Sequence, residues 1–406
     1  MKFELNNGQR LYFGLEPIDP QWERVLLKGD THRKESILYF YGDVIKRYIE
    51  STEDQYREDQ YDELTKSRQV LLPKTSKGKE KKLTAAVLET RQPKGVYCLL
   101  NVNGRIRIGN HNTQTTFYDN WDEVYKSQIK KPFSTWIEEY VESSPESYLS
   151  DIGSFKEGKR KNIKFRSGDF FSFRINRQEY GFGRVLLDID KLKKRKVLSE
   201  SHGLNFILAK PVLVKFYART SKNKDIPIAD LENAAALPSD YMMDNLLFYG
   251  QYEIIGHKDI SEAEIDFPMS YGGHLNARRK CIFLQWGLIH KELPNTTFDK
   301  YLVADNPYLP DGNPSKRDDN PFGWYGIGFK PKYNASDIVN TIENNGVYDF
   351  QKSDSYKDYF DLRNPQNRDI RNEIMIHFGL DPLKSYNENC ELSKTIKIQD
   401  VLRLID

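Results

Sequence analysis

The sequence predicts an α+β protein, β-dominated, built of strongly twisted antiparallel sheets or open barrels with covering helices, in two domains. Three observations predict it. Short runs rich in Val, Ile, Tyr and Phe recur along the chain with the period of two that marks half-buried strands. Asn103-Gly104, in LLNVNGRIRIG, stands between two such runs as a hairpin turn. With 406 residues the chain can bury more than one core, and 144–164, SSPESYLSDIGSFKEGKRKNI, has Ser, Pro, Gly and a charge run with little periodicity. That stretch divides a domain of residues 1–155 from one of residues 156–406.

Taken in order, the alternation predicts strands at 2–6, 10–16, 37–44, 95–102, 105–110 and 115–119. Two more form the arms of GDFFSFRINRQEYGFGRVLL (168–187), and others fall at 211–218, 247–258 and 281–290. Helices are fewer. Residues 45–67 are polar with a thin Tyr/Ile/Leu stripe, 120–143 are amphipathic on either side of Pro132, and 369–381 carry an apolar face that Gly379 terminates. Residues 7–27 align without a gap on 167–187, matching Gly8 with Gly168, Phe13 with Phe173 and Arg24-Val25-Leu26-Leu27 with Arg184-Val185-Leu186-Leu187. A duplicated hairpin opening each half is one explanation, and a pattern common to hairpins is the other.

Composition excludes several classes of function. No apolar run reaches the length of a membrane span, and the start, MKFELNNGQRLYFG, lacks a basic region followed by an apolar one, so a cytoplasmic location is expected. Cys98, Cys281 and Cys390 are far apart and odd in number, which argues for small buried hydrophobes and against disulfides or structural zinc. The sequence has no GxxxxGK[ST], GxSxG, HExxH or kinase signature, so no catalytic residues and no cofactor are assigned and the chain is not expected to be an enzyme. Only His257, His274 and His290, with Asp259, Glu262, Glu264 and Asp266 between them, offer a set able to converge on a metal, and their spacing matches no compact ligand motif.

Charge is segregated along the chain. Residues 156–230 carry 19 Lys and Arg against 8 Asp and Glu, whereas residues 231–406 carry 19 against 27. The basic segment admits nucleic acid as a partner, or is a solvated, edge-protecting lysine population. The acidic last third suits a cationic protein. It also holds glycine-aromatic runs, YGGHLNARRKCIFLQWG (271–287) and NPFGWYGIGFKPKY (320–333), in which small residues let rings pack across a twisted sheet or display them as anchors.

GDFFSFRINRQEYGFGRVLLDI resembles the start of immunity protein family twenty-six, the cytoplasmic antidotes encoded beside bacterial polymorphic toxins. The matching residues are Gly168-Asp169, Tyr180-Gly181-Phe182-Gly183-Arg184-Val185 and Val214-Lys215-Phe216-Tyr217, and the likeness runs from residue 165 to about residue 300. The resemblance implies a protein that neutralises a cognate toxin by stoichiometric binding; the acidic excess after residue 230 adds the expectation of a basic, nuclease-like toxin domain as partner, and no membrane involvement is expected. Phe171, Phe173, Val185 and Leu187 are expected in the core. Tyr180, Phe182 and Arg184 are either core or partner contacts, and Arg184 alternatively pairs with Asp169 in a buried salt bridge. The remaining partner-binding residues are expected in the acidic third: Trp286, Trp324, Tyr325, Asp318 and Asp319. A nucleic-acid-binding module using 156–230 is the second reading, and a metal-dependent hydrolase the third.

Overall fold

The computed structural model describes the chain except residues 1–2, 125–126, 208, 274–280, 295, 299–300, 302–334, 351–361 and 406. It falls into two compact units, the first being Met1–Ile163 with Asn176–Gln178 and Tyr249–Gln251, the second the remainder. Strand makes up 31% and helix 26%, and among the described residues no sheet closes into a barrel, so the fold is α+β with open antiparallel sheets.

The first unit opens with α1 (Asn7–Tyr12), where a strand was expected across 10–16, and residues 3–6 hold no regular element. A reciprocal cap explains the helix. The Asn6 side chain accepts from the Gln9 N–H (2.8 Å) while the Gln9 side chain accepts from the Asn6 N–H (3.0 Å), fixing the first turn. With a helix at 7–12 and a strand at 169–174, the two halves do not begin with the same hairpin, which corrects the duplication expectation.

There follow β1 (Glu23–Leu27), β2 (Ser36–Tyr41), β3 (Val44–Ser51), β4 (Gln55–Lys66), an excursion of β5 (Val70–Leu71), β6 (Lys81–Lys82) and α2 (Ala85–Leu88), then β7 (Lys94–Asn101), β8 (Ile106–Asn110) and β9 (Thr115–Asp119). These strands form one antiparallel meander in the order β1-β2-β3-β4-β7-β8-β9. The stretch 45–67, expected as a helix, is the β3–β4 hairpin. Its alternation is obscured because Arg47, Glu58 and Asp59 occupy fully buried positions where apolar residues are the rule. The Asn103-Gly104 turn joins β7 to β8, with Gly104 at φ +88°.

Helices α3 (Trp121–Val124), α4 (Phe133–Glu142) and α5 (Tyr148–Lys156) complete the unit. Phe133, Ile137, Tyr140, Tyr148 and Ile152 from α4 and α5 share a core with Ile37, Ile49, Val96 and Ile108. Leu38 and Tyr48, each one position away from a residue of that core, point to the other face and pack with Leu71, Ala85 and Leu88 of the excursion. The presence of α5 shortens the aperiodic stretch expected at 144–164, and its exposed part is 157–162.

The second unit contains β10 (Asp169–Arg174), β11 (Tyr180–Asp188), α6 (Ile189–Lys194), β12 (Pro211–Ser221), α7 (Ile228–Glu232), β13 (Asp240–Met243), α8 (Asn245–Phe248) and β14 (Glu253–His257), whose strands pair in the order β13-β12-β11-β10-β14. A second sheet of β15 (Met269–Gly273), β16 (Cys281–Trp286) and β17 (Ile289–Pro294) follows, with α9 (Ala335–Glu343), α10 (Arg368–His377), α11 (Tyr386–Leu392) and α12 (Ile398–Ile405). The expected strand at 281–290 is a hairpin that turns at Gly287, φ +55°, and the one at 247–258 is reduced to β14 by α8. Helix α10 ends where Gly379, φ +68°, allows the chain to leave it.

Both faces of the β10–β11 hairpin are covered. Phe171, Phe173 and Val185 pack with Val214 and Phe216, Phe170 and Phe182 pack with Tyr217 and Leu231, and Leu187 joins a core that α12 closes with Ile398, Val401 and Ile405. No helix among the described residues is long and apolar enough to cross a membrane. Limited proteolysis, followed by mass spectrometry, is expected to cut first within 157–162, where the chain is exposed and leaves regular structure, and to give two folded fragments. A single resistant core spanning 120–200 contradicts that division.

Candidate functional site

The residues that carry the sequence motif are those that hold the segment after β14 against the first sheet of the second unit. Gly168 sits at φ +93°, donates its N–H to the Val185 carbonyl (2.8 Å) and accepts from the Lys258 N–H (3.1 Å). A Cβ at this position would lie 2.3 Å from the Lys258 carbonyl oxygen, so both the backbone angle and the close approach demand glycine. Next to it, Asp169 turns its carboxylate to His257 Nδ1 (2.8 Å) and accepts from the Arg166 N–H (2.9 Å). The second ring nitrogen of His257 faces the Asp259 carboxylate at 3.2 Å. Gly183 is small for a packing reason: a Cβ there would stand 2.3 Å from the ring of Phe171 on the neighbouring strand.

Arg184 has a structural partner, and it is not Asp169. Its side chain is 2% exposed, its guanidinium lies 4.4 Å from the Phe170 ring, and Nη1 pairs with Glu264 Oε2. Nη2 donates to two backbone carbonyls, Lys258 at 2.5 Å and Asp259 at 3.1 Å. Lys215, directly across on β12, adds a second cation 3.5 Å from the same Glu264 oxygen. The other oxygen of Glu264 accepts from the Ser261 N–H (3.0 Å) and hydroxyl (3.2 Å). Burial alone would raise the Glu264 pKa, but the Ser261 donors, Arg184 and Lys215 outweigh it and hold the carboxyl below its ordinary value. Burial lowers the Lys215 pKa, which Glu264 only partly offsets. A fork-shaped guanidinium reaching two carbonyls and a carboxylate fixes a whole loop, which an ammonium at the same place does not.

The loop so fixed carries the acidic groups. Asp259 is fully exposed, Asp266 is exposed and pairs with Arg363 (2.6 Å), and Glu262 accepts from Asn387 Nδ2 (3.1 Å). Asn387 follows Tyr386, whose ring meets that of Trp286 edge-on at 4.8 Å, while the Tyr386 hydroxyl accepts from the Leu288 N–H (2.7 Å). Trp286, half-buried at the end of β16, is thereby brought beside the acidic loop.

The other expected contact residues divide. Phe182 is wholly buried between Phe170 and Leu231, so neither it nor Arg184 offers a side chain to a partner in this structure; in both cases the reason is that the sheet is covered on its two faces. Tyr180 is half-buried beneath the Arg174 guanidinium, 5.0 Å from the ring. Asp318, Asp319, Trp324 and Tyr325 lie outside the described residues.

The described members of the histidine and carboxylate set do not gather at one point. His257 is held by Asp169 and Asp259, His290 by Gln285 (2.8 Å) and Glu292 (3.2 Å), and His274 lies outside the described residues. Among the described residues no group of three His, Cys, Asp or Glu is placed to hold a metal ion. Cys98 and Cys390 are buried, and burial raises both thiols, Cys390 to about 11 and Cys98 well above its ordinary value; Cys281, expected buried, is half-exposed. Sequence reasoning missed His202. It accepts the Leu204 N–H at Nδ1 (3.1 Å) and meets the Leu288 carbonyl at Nε2 (2.9 Å), so the ring is neutral with its proton on Nε2, and burial pushes its pKa down to about 4.

Residues 166–281 match the family model described as Immunity protein 26, over a little more than a quarter of the chain. No curated protein and no solved structure matches the chain.

Two measurements probe this region. Replacing Arg184 by Met leaves two carbonyls without their donor and removes the closer of two cations from Glu264, and is expected to lower the stability to urea by on the order of 3 kcal/mol, with Glu264→Gln milder; a loss within experimental error for Arg184→Met contradicts the clamp. His202 is neutral when folded down to about pH 4 but protonates near 6.5 when unfolded, so its contribution is complete above pH 6.5 and lost as pH falls toward 4. Urea midpoints at pH 7.5 and 5 should therefore drop further for the wild type than for His202→Asn, and equal drops contradict the assignment.

Proposed function

We propose that this protein neutralises a cognate bacterial toxin by stoichiometric binding through its second unit. The observation that supports this most is the family-model match over 166–281, a segment in which the motif residue Arg184 holds a loop in place through two carbonyls and Glu264. An antidote of this kind works by occupying a surface, and the chemistry it needs is shape, anchoring rings and complementary charge.

The acidic loop 259–266 with Trp286 beside it is the toxin-binding face in this reading, and Asp318, Asp319, Trp324 and Tyr325, outside the described residues, are assigned the same role from the sequence. It takes a basic partner, as nuclease-like toxin domains are, because an acidic face steers encounter with a cationic one. The second reading, nucleic acid on 156–230, is weakened by how that segment uses its cations. Lys194 pairs with Asp190, Lys215 with Glu264 and Lys224 with Glu253, while Lys191 and Lys193 donate to the carbonyls of Ile405 and Ile207. Those ammonium groups are held by the fold itself.

Binding kinetics against a toxin found in the neighbourhood of this gene separate these roles. Ala at Trp324 and Tyr325 should raise the off-rate by the equivalent of about 2 kcal/mol. Asp259→Lys, or reversal of Asp318 and Asp319, should mainly slow association and flatten its salt dependence. His290→Ala should leave protection of cells intact, and His257→Ala should cost only the stability that its contact with Asp169 supplies. Full affinity in the Trp324/Tyr325 double variant, with affinity lost on neutralising Lys193, Lys194 and Arg195, contradicts the choice of face.

A further inference from the structure

One cluster in the first unit gathers two buried guanidiniums around a single buried carboxylate. Arg47 on β3 and Glu58 on β4 are 0% exposed, and Arg10 on α1 is 3% exposed. Both guanidiniums converge on one carboxylate oxygen: Glu58 Oε1 lies 3.2 Å from Arg10 Nε and 3.6 Å from Arg47 Nε. The other oxygen, Oε2, accepts from the Tyr56 hydroxyl (2.5 Å). Arg10 Nη1 donates to the Leu5 carbonyl, and Arg47 Nη2 reaches the Glu16 carbonyl at 3.4 Å and its carboxylate at 3.8 Å. Glu16 is 43% exposed and shared with Lys156, 3.6 Å from its second oxygen, so it neutralises little of the buried charge.

What remains is a set of donors with no acceptor. Arg10 Nη2 and Arg47 Nη1 are buried and make no hydrogen bond among the described residues, and Arg47 Nε is too far from Glu58 for a good one. An isolated buried cation is strongly unfavourable, and a guanidinium does not escape by losing its proton under ordinary conditions. The two arginines differ in the expected sense. Burial lowers the pKa of both, but at Arg10 the adjacent Glu58 outweighs it and the net shift is upward, whereas at Arg47 burial prevails and the shift is downward. Glu58 thus serves Arg10 and leaves Arg47 under-compensated.

We propose that the first unit binds one small monovalent inorganic anion, a halide such as chloride, against the free N–H groups of Arg47 and Arg10. Charge sets the valence, since two guanidiniums and one buried carboxylate leave at most a single positive charge, which the exposed Glu16 offsets in part, and a doubly charged ion would overshoot it. Enclosure sets the size, because every group that forms the site is buried. The ion ties α1, β3 and β4 together, so its binding free energy is part of the stability of this unit.

The test uses the whole chain. At fixed ionic strength, replacing sodium gluconate stepwise by sodium chloride should raise the unfolding midpoint of the first unit in proportion to the logarithm of chloride concentration. Arg47→Met should abolish that dependence. Crystals of the wild type grown in bromide should show an anomalous peak within hydrogen-bond reach of Arg47 Nη1, a readout that stands even if the variant does not fold. A midpoint indifferent to chloride with no bromide peak overturns the proposal and assigns these donors to water. Chloride dependence that persists in a folded Arg47→Met variant, with no peak at Arg47, overturns it as well.

Discussion

The second unit depends on how Arg184 is satisfied. A guanidinium buried in the middle of a sheet must find acceptors, and here they come from the segment after the edge strand β14: two carbonyls and the Glu264 carboxylate. Glu264 in turn caps the Ser261 turn, so a single side chain in the sheet sets the course of residues 258–264. Gly168 makes the close approach possible, and Asp169 completes it through His257. Ion pairs of this kind contribute less to net stability than an apolar replacement can, and removing one partner is severe, so their effect is to select one arrangement of the loop.

Buried charge also explains where the sequence was hard to read. The hairpins of β7–β8 and β10–β11, the strands β9 and β12 and the helix α10 follow apolar periods and turn residues, and each was legible. The β3–β4 hairpin was not, because Arg47, Glu58 and Asp59 take inward positions and erase the alternation. At α1 the deciding signal was local: the Asn6 and Gln9 cap overrides an apolar run that otherwise suits a strand. The β16–β17 turn was hidden inside a continuous apolar stretch, where a glycine at positive φ marks the reversal and no polar residue does.

The site shows the same division. The motif positions Gly168, Asp169, Gly183 and Arg184 were visible in the sequence, but their partners were not, since Glu264 lies 80 positions from Arg184 and no local pattern connects them. The Ser261–Glu264 spacing was the one available hint, as the signature of a capped turn. The residues that stand out by composition, Phe182 above all, turn out to be core, whereas the exposed acidic residues are unremarkable as sequence.

A surface held in one shape by buried polar contacts suits binding and needs no reaction centre, and stoichiometry distinguishes the two directly. Titrating the purified toxin with this protein while following toxin activity should give a linear fall to complete inhibition at molar equivalence, with a stable complex recovered by size exclusion. Inhibition at a small fraction of equivalence, or activity persisting in molar excess of the chain, would contradict neutralisation by binding.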